Sequence, residues 1–427
     1  MLRRRLWVVG AVGAVVAVCL GVCAPAGAAD VRQDQHWVLE KMKIEQAWKV
    51  TKGAGVTVAL IDGGVDDRVP ELRGKVVAGP DMGSAALDGD DQRANWHGTA
   101  MASLIAGAGK GKGGLLGTAP EARILSLPLV LAETTPEGEF VPPEADQRTR
   151  EDSPVARAIR YAAGHGAKVI SMSLGAYGPH KAEREAVAYA LSRGVVLVAA
   201  VGNDGSSAYT VNHDTSFWSF PAGYSGVIGV GAVDAASQPA GFSSDNLSVL
   251  VSAPGVDVPV VTPGGKYDSS DGTSSAAALV AGVAALIKAK YPDIPPHLVS
   301  RALTSTASSS PAAGYDDHVG FGVVDAGAAL AKAGELMRGA AGAPPAEDRH
   351  FGQGSLDGEP ARPGADSLRL WLYGTGLAVG LLAFGWAVVT LTRRSEQTGR
   401  FPGEIPGLPG LGRERRPGRA RDTRWRA

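Results

Sequence analysis

Four side chains in this sequence have the types and settings that acyl transfer requires. Ser274 stands in D-G-T-S-S-A, where a glycine turn opens an Ala-rich helical stretch. A serine hydroxyl is a weak nucleophile until a base removes its proton. His97, in N-W-H-G-T-A at the start of a second helical stretch, can be that base. An imidazole works as a base only in the correct tautomer, so it needs a carboxylate behind it. Asp62, the last residue of the apolar run T-V-A-L-I-D, can supply one. A serine at a helix N-terminus also has backbone N–H groups and the positive dipole end beside it, ready for a developing oxyanion. Asn203, on a glycine turn after V-L-V-A-A-V-G, can add a second donor. Gly272 and the small residues after Ser274 let backbone and substrate approach closely.

These groups fall at strand ends and helix starts, which is where a doubly wound sheet collects its functional groups. Apolar runs bounded by turn residues predict strands at 56–61, 123–130, 167–172, 195–200, 227–232 and 248–252. Helical spacing predicts helices at 97–106, 154–164, 181–192 and 273–290, the second opened by Ser153 with Pro154 in its first position. Continuously apolar strands alternating with helices imply a mainly parallel sheet covered on both faces, a three-layer α/β/α domain. The stripe of Val280, Val283 and Ala284 belongs to the core of the last helix.

The blocks D-G-G-V, H-G-T-A-M-A-S-L-I-A-G, S-M-S-L-G, A-A-V-G-N and G-T-S-S-A-A-A-L-V-A-G resemble the signature blocks of the subtilisin-type serine proteases, peptidase family S8. They occur in that family's order, acid, imidazole, serine, and the resemblance covers about residues 35–332. It implies Asp62 as orienting carboxylate, His97 as general base and acid, Ser274 as nucleophile and Asn203 as oxyanion donor. Ser173, Leu174 and Gly175 would form the strand that pairs with the peptide substrate. Three positions depart from the pattern. Gly63 replaces the usual Ser or Thr, whose hydroxyl would bond to the carboxylate. Ser275 stands where many relatives carry Met, Phe or Tyr, and Ala278 replaces a Pro.

The layout resembles one branch of the family more narrowly, the mycosins of type VII secretion systems. That likeness implies a signal peptide, a subtilisin-like domain, a Pro-rich linker, one C-terminal membrane helix and a short cytoplasmic tail. The stretch Q-H-W-V-L-E-K-M-K-I-E-Q-A-W-K-V at 35–50 is too short for a folded inhibitory prodomain. It resembles the mycosin N-terminal extension that packs on the catalytic domain.

The chain ends read independently of any family. Arg3, Arg4 and Arg5 precede an apolar run, and A-G-A follows at 26–28, the pattern of a signal peptide cleaved near Ala28; an uncleaved signal anchor is the alternative. Both cysteines, Cys19 and Cys23, lie in this segment, so the mature chain is expected to have no disulfide and no thiol chemistry. Residues 370–391 are apolar and uncharged, and at roughly 1.5 Å per residue they span about 30 Å, the thickness of a bilayer core. Trp371, Tyr373 and Trp386 suit an interfacial aromatic belt, and Arg393 and Arg394 follow directly. Ten arginines against four acids in the tail place it in the cytoplasm and the preceding domain outside. The expected organisation is therefore a signal peptide at 1–29, an N-terminal extension at 30–50 and a peptidase domain at 51–336. A Gly/Ala/Pro-rich linker at 337–369, a transmembrane helix at 370–391 and a basic cytoplasmic tail at 392–427 complete it.

A net charge of −1 gives no reason to expect nucleic acid. With 8 Trp and 8 Phe in 427 residues, the core must come mostly from Ala, Val, Leu and Ile. His165 and His213 are read as surface turn residues. Asp66–Asp67 and Asp90–Asp91 are read as solvated loop charges, with structural calcium as the alternative; no cofactor is expected. The polar stretch at 131–152, with Phe140 and Val141 inside it, follows the strand at 123–130. The subtilisin resemblance implies that this loop borders the cleft, so it is expected to act as a lid that narrows substrate choice, with a disordered surface insertion as the alternative. The expected partners are a polypeptide substrate, the membrane and the type VII machinery. Two rival readings remain: an inactive structural component of a secretion complex, and a membrane-anchored binding receptor.

Overall fold

The computed structural model describes residues 31–83, 91–109, 113–129, 153–340 and 367–397. In chain order, α1 (Val31–Lys41) and α2 (Ile44–Trp48) precede β1 (Thr57–Asp62), β2 (Val76–Ala78), α3 (Asp91–Ala106) and β3 (Arg123–Pro128). Next come α4 (Pro154–Gly164), β4 (Val169–Met172), β5 (Ala176–Tyr177), α5 (Lys181–Ser192) and β6 (Val196–Ala200). They are followed by α6 (Ala208–His213), β7 (Ser219–Phe220), β8 (Val227–Val233) and β9 (Val251–Pro254). The hairpin β10 (Val258–Thr262) and β11 (Lys266–Ser270) leads into α7 (Thr273–Lys290), α8 (Pro296–Ser305), α9 (Ala326–Ala340) and α10 (Ser367–Gln397).

Seven strands form one parallel sheet in the order β2-β3-β1-β4-β6-β8-β9. Because successive side chains point to opposite faces, each apolar strand feeds two cores. Val58 and Leu60 of β1 and Val196 and Val198 of β6 join one cluster with α3 and α7. Ala59 and Ile61 of β1 and Leu197 and Ala199 of β6 join the other, with α4 and α5. This is the expected layering, and it explains why the central strands show no polar alternation.

Helix ends follow local chemistry. Ser153 Oγ accepts the Ala156 N–H at 3.3 Å, and Pro154 occupies the first turn of α4, where a missing N–H costs nothing. Helix α7 is apolar enough to pass for a membrane span, yet it is buried in the domain core. Its small residues permit close contact. A Cβ on Gly282 would collide with Thr118 Oγ1, whose hydroxyl donates to the Leu279 carbonyl at 3.2 Å.

The N-terminal stretch, expected as one amphipathic segment, is two helices broken at Lys43, which adopts a left-handed conformation at φ 52°. Val38, Leu39, Met42, Ile44 and Ala47 are buried in the cluster that holds α3 and α7. Arg32 donates through Nε to the Gly114 carbonyl at 2.8 Å and through its guanidinium Nη2 to the same oxygen. Gln35 accepts the Leu116 N–H at 3.0 Å and donates back to the Leu116 carbonyl, and Trp48 Nε1 donates to Thr118 O at 2.8 Å. These two helices therefore strap the segment that returns from α3.

Several expected boundaries move. The expected strand at 248–252 begins at Val251, because Asn246 Oδ1 accepts the Ser248 N–H at 2.9 Å and holds a turn there. Helix α3 starts at Asp91, so His97 lies in its second turn and not at its start. Helix α9 continues to Ala340, beyond the expected start of the linker.

The chain divides into two compact units, the second beginning at Ala343. Within the second, α10 carries the 24-residue stretch Leu370–Arg393, long and apolar enough to cross a membrane. Trp371, Tyr373 and Trp386 are all exposed on it. The expected signal peptide, the lid at 131–152, most of the linker and most of the basic tail lie outside the described residues.

Candidate active site

Strand β1 delivers Asp62 at its carboxyl end, where the Asp62 carbonyl accepts the Leu129 N–H at 2.7 Å. The side chain is buried, and its Oδ1 accepts two donors: the Gly63 N–H at 2.7 Å and His97 Nδ1 at 2.6 Å. An ionised carboxylate requires a proton on Nδ1, so Nε2 carries the lone pair and can act as a base. The Asp62 charge, followed by that hydrogen bond, raises the His97 pKa above the usual imidazole value, while burial opposes the shift. The second oxygen, Oδ2, is buried without a hydrogen-bond partner among the described residues. Gly63 brings no hydroxyl to this carboxylate, in line with the departure noted in the sequence.

Glycines let α3 reach β1. A Cβ on Gly98 would collide with the Gly63 and Gly64 carbonyl oxygens, and one on Gly64 would collide with Asn95 Oδ1. Thr99 Oγ1 accepts the Asp66 N–H at 2.9 Å and fixes the turn that follows Asp62.

Ser274 is the second residue of α7, where backbone N–H groups have no acceptor within the helix. Gly272 enters this helix at φ +152°, a conformation that L side chains rarely adopt. Ser274 Oγ lies 3.5 Å from the Ser173 carbonyl, and Ser173 Oγ lies 3.4 Å from the Ser274 carbonyl, both at the outer limit of hydrogen bonding. No hydrogen bond joins Ser274 to His97 among the described residues. Asn203 is exposed, and its Oδ1 accepts both the Thr273 N–H and the Thr273 hydroxyl at 3.0 Å. Thr273 Oγ1 in turn accepts the Gly202 N–H at 3.3 Å. With Oδ1 occupied, Nδ2 lies beside Gly272 at the mouth of α7, with no acceptor among the described residues.

Ser173, Leu174 and Gly175 follow β4 directly. Leu174 packs against the second core, and a Cβ on Gly175 would collide with Ser219 Oγ. The sequence reading missed Thr273, which orients Asn203, and Ser270, whose Oγ accepts from Ser275 Oγ at 2.9 Å. Position alone signalled Thr273, as the residue between the helix-entry glycine and the serine.

The remaining candidates sit elsewhere. His165 and His213 each donate Nδ1–H to the carbonyl four residues back, at 2.8 Å, and stack on Tyr161 and Tyr209. Both are exposed; His165 lies in the turn that ends α4, as read, whereas His213 is the last residue of helix α6. The Asp66 carboxylate is taken by Arg68 Nε at 2.8 Å and the Gly264 N–H at 3.2 Å. Asp90 lies outside the described residues, and among the described residues no cluster of three or more His, Cys, Asp or Glu forms a cation cage.

The model of the Subtilase family, Peptidase_S8, matches residues 53–354. Thermitase of Thermoactinomyces vulgaris is 36% identical over 248 residues, covering 58% of this chain and 80% of that protein. Mycosin-1 of Mycolicibacterium smegmatis is 34% identical over 336 residues, covering 70% and 73%. Fervidolysin of Fervidobacterium pennivorans is 35% identical over 324 residues, but this chain spans only 44% of its length. Among solved structures, the serine protease MycP1, described as an essential component of the type VII (ESX-1) secretion system, matches with a TM-score of 0.57 and 35% identity, over 69% of this chain and 88% of that one.

Proposed function

Since the chain belongs to the subtilase family of serine peptidases, we propose that it is a membrane-anchored serine endopeptidase cutting exported polypeptides through Asp62, His97 and Ser274. The observation that carries this reading is the 2.6 Å Asp62–His97 pair, taken with a serine in the first turn of the buried helix α7. Ser274 Oγ turns from the Ser173 carbonyl toward His97 Nε2 when a substrate carbonyl arrives. His97 takes the hydroxyl proton as Oγ attacks, and Asp62 stabilises the resulting imidazolium. The oxyanion is met by the Ser274 N–H and Asn203 Nδ2. His97 then hands the proton to the leaving amine, and water repeats the cycle on the acyl-enzyme. The substrate's acyl side lies as an added strand along Ser173, Leu174 and Gly175.

The likeness to Mycosin-1 and MycP1 supports a role beside a type VII secretion system, and α10 with its following arginines supports a peptidase domain outside the membrane and a tail inside. A second reading, a weak or inactive structural component, draws on the partnerless Asp62 Oδ2 and the absence of a Ser274–His97 hydrogen bond. Labelling by a serine-reactive fluorophosphonate decides between them: the active enzyme labels at Ser274 and Ser274→Ala does not. Wild type that labels no better than Ser274→Ala establishes the second reading. Terminal-peptide proteomics of wild type against Ser274→Ala would identify the substrate. For topology, protease added to intact spheroplasts should digest the main domain and spare the tail.

A further inference from the structure

A cavity of about 1140 Å³ opens beside the active site, between the turn after Asp62, the start of α3 and the β10–β11 hairpin. Trp96, the residue before His97, forms part of its wall. Strand β11 connects it to the nucleophile. Lys266, Asp268 and Ser270 share one side of that strand by alternation, and Ser270 accepts from Ser275, next to Ser274. At roughly 3.3 Å per residue, Lys266 lies about 13 Å along the strand from Ser270, the reach of about four extended residues.

The cavity carries surplus positive charge. Arg68, Arg73 and Lys266 face Asp66 and Asp268 there. Asp66 is occupied by Arg68 and by the Gly264 N–H, and Asp268 Oδ1 accepts the Ser269 N–H at 2.9 Å. Arg73 and Lys266 are exposed and have neither an ion pair nor a side-chain hydrogen bond among the described residues. Two free cations around a half-buried indole suit an acidic side chain on an extended peptide.

On the peptidase reading above, the geometry points to a specificity site in this cavity: Arg73 and Lys266 recognise a Glu or Asp on the leaving-group side of the substrate, three or four residues past the cut. With the acyl side assigned to Ser173–Gly175 as proposed above, this cavity, walled by Trp96 next to His97, is left for the leaving-group side. The attraction is between partly solvated charges, so it should give up to about fivefold and fade with salt.

The test uses the full chain in detergent and peptides of one acyl sequence, with Glu, Gln or Lys at each of the first five positions after the cut. Glu at the third or fourth position should raise kcat/KM over Gln by up to about fivefold, Lys should lower it, and 0.5 M salt should erase both effects. Arg73→Gln with Lys266→Gln should bring the Glu-to-Gln ratio to about one. A ratio near one in wild type, or a preference at acyl-side positions only, overturns the site. Binding of the same peptides to Ser274→Ala separates this from the chemistry. A wild type that cuts nothing, while Ser274→Ala still binds the Glu peptide more tightly, keeps the site and ends the peptidase reading; equal binding of Glu and Gln peptides ends the site.

Discussion

The two walls of the active site are held by different physics. The acid–base wall, β1 and α3, depends on one short charged hydrogen bond and on bare glycine contact between Gly98 and the Gly63–Gly64 turn. Its carboxylate is only half satisfied. The nucleophile wall depends on packing: α7 runs through the core, and Thr273, Asn203 and Gly202 link its first turn to β6. The first wall should therefore respond to charge and pH, and the second to volume. Changes to the first should alter rates in a folded protein, whereas changes to α7 should reach stability.

Asp62→Asn should cost most of these. It leaves the fold but reverses the tautomer preference of His97, and turnover should fall by about 10⁴, the loss known for the corresponding change in trypsin. Asn203→Ala should lower turnover by about 10²–10³, a figure that comes from subtilisin's own oxyanion asparagine, with little change in KM. Equal turnover in that variant would remove Asn203 from the oxyanion site.

Gly282→Ala tests the nucleophile wall. Overpacking against Thr118 should destabilise the domain by about 1–3 kcal/mol, seen as a lower melting temperature. An unchanged melting temperature would show that α7 and the returning segment can move apart.

The pH profile tests the first wall more gently. The base must be unprotonated, and Asp62 raises the His97 pKa, so kcat/KM should rise with pH through an inflection above the ordinary imidazole value of about 6.5. The same shift stabilises the folded state at pH below that ordinary value, and the gain is lost as pH rises through the raised one. The inflection should move down in Asp62→Asn, measured on whatever activity remains. Smallest of all, Gly63→Ser should offer Asp62 Oδ2 a hydroxyl and raise turnover by no more than a few-fold. A loss would mean that the serine clashes with α3 at Gly98.

Much of this was legible in the sequence because local signals coincided with global ones. The ends of α4 and α7 matched expectation, since Ser153–Pro154 and Gly272 mark them chemically. The candidate site residues stood out for a related reason: Asp62, His97 and Asn203 each adjoin a glycine, and Ser274 follows Gly272 by two residues. The β10–β11 hairpin was not foreseen, because Pro259 interrupts one strand and the other, K-Y-D-S-S, is polar and mostly exposed. Helix α3 began earlier than read because D-Q-R-A-N-W lacks an apolar stripe. The strap formed by Arg32, Gln35 and Trp48 depends on contacts about seventy to eighty residues distant, which no local pattern encodes.

If His97 and Ser274 act as one unit, single and double variants show it most directly. Peptide turnover would be measured for Ser274→Ala, His97→Ala and the two combined, each checked for a native melting curve. Each single change should lose about 10⁶ in turnover, the magnitude found in subtilisin, and the pair should lose no more than either alone. Losses that multiply in the double variant, or a His97→Ala enzyme that keeps most of its turnover, would contradict it.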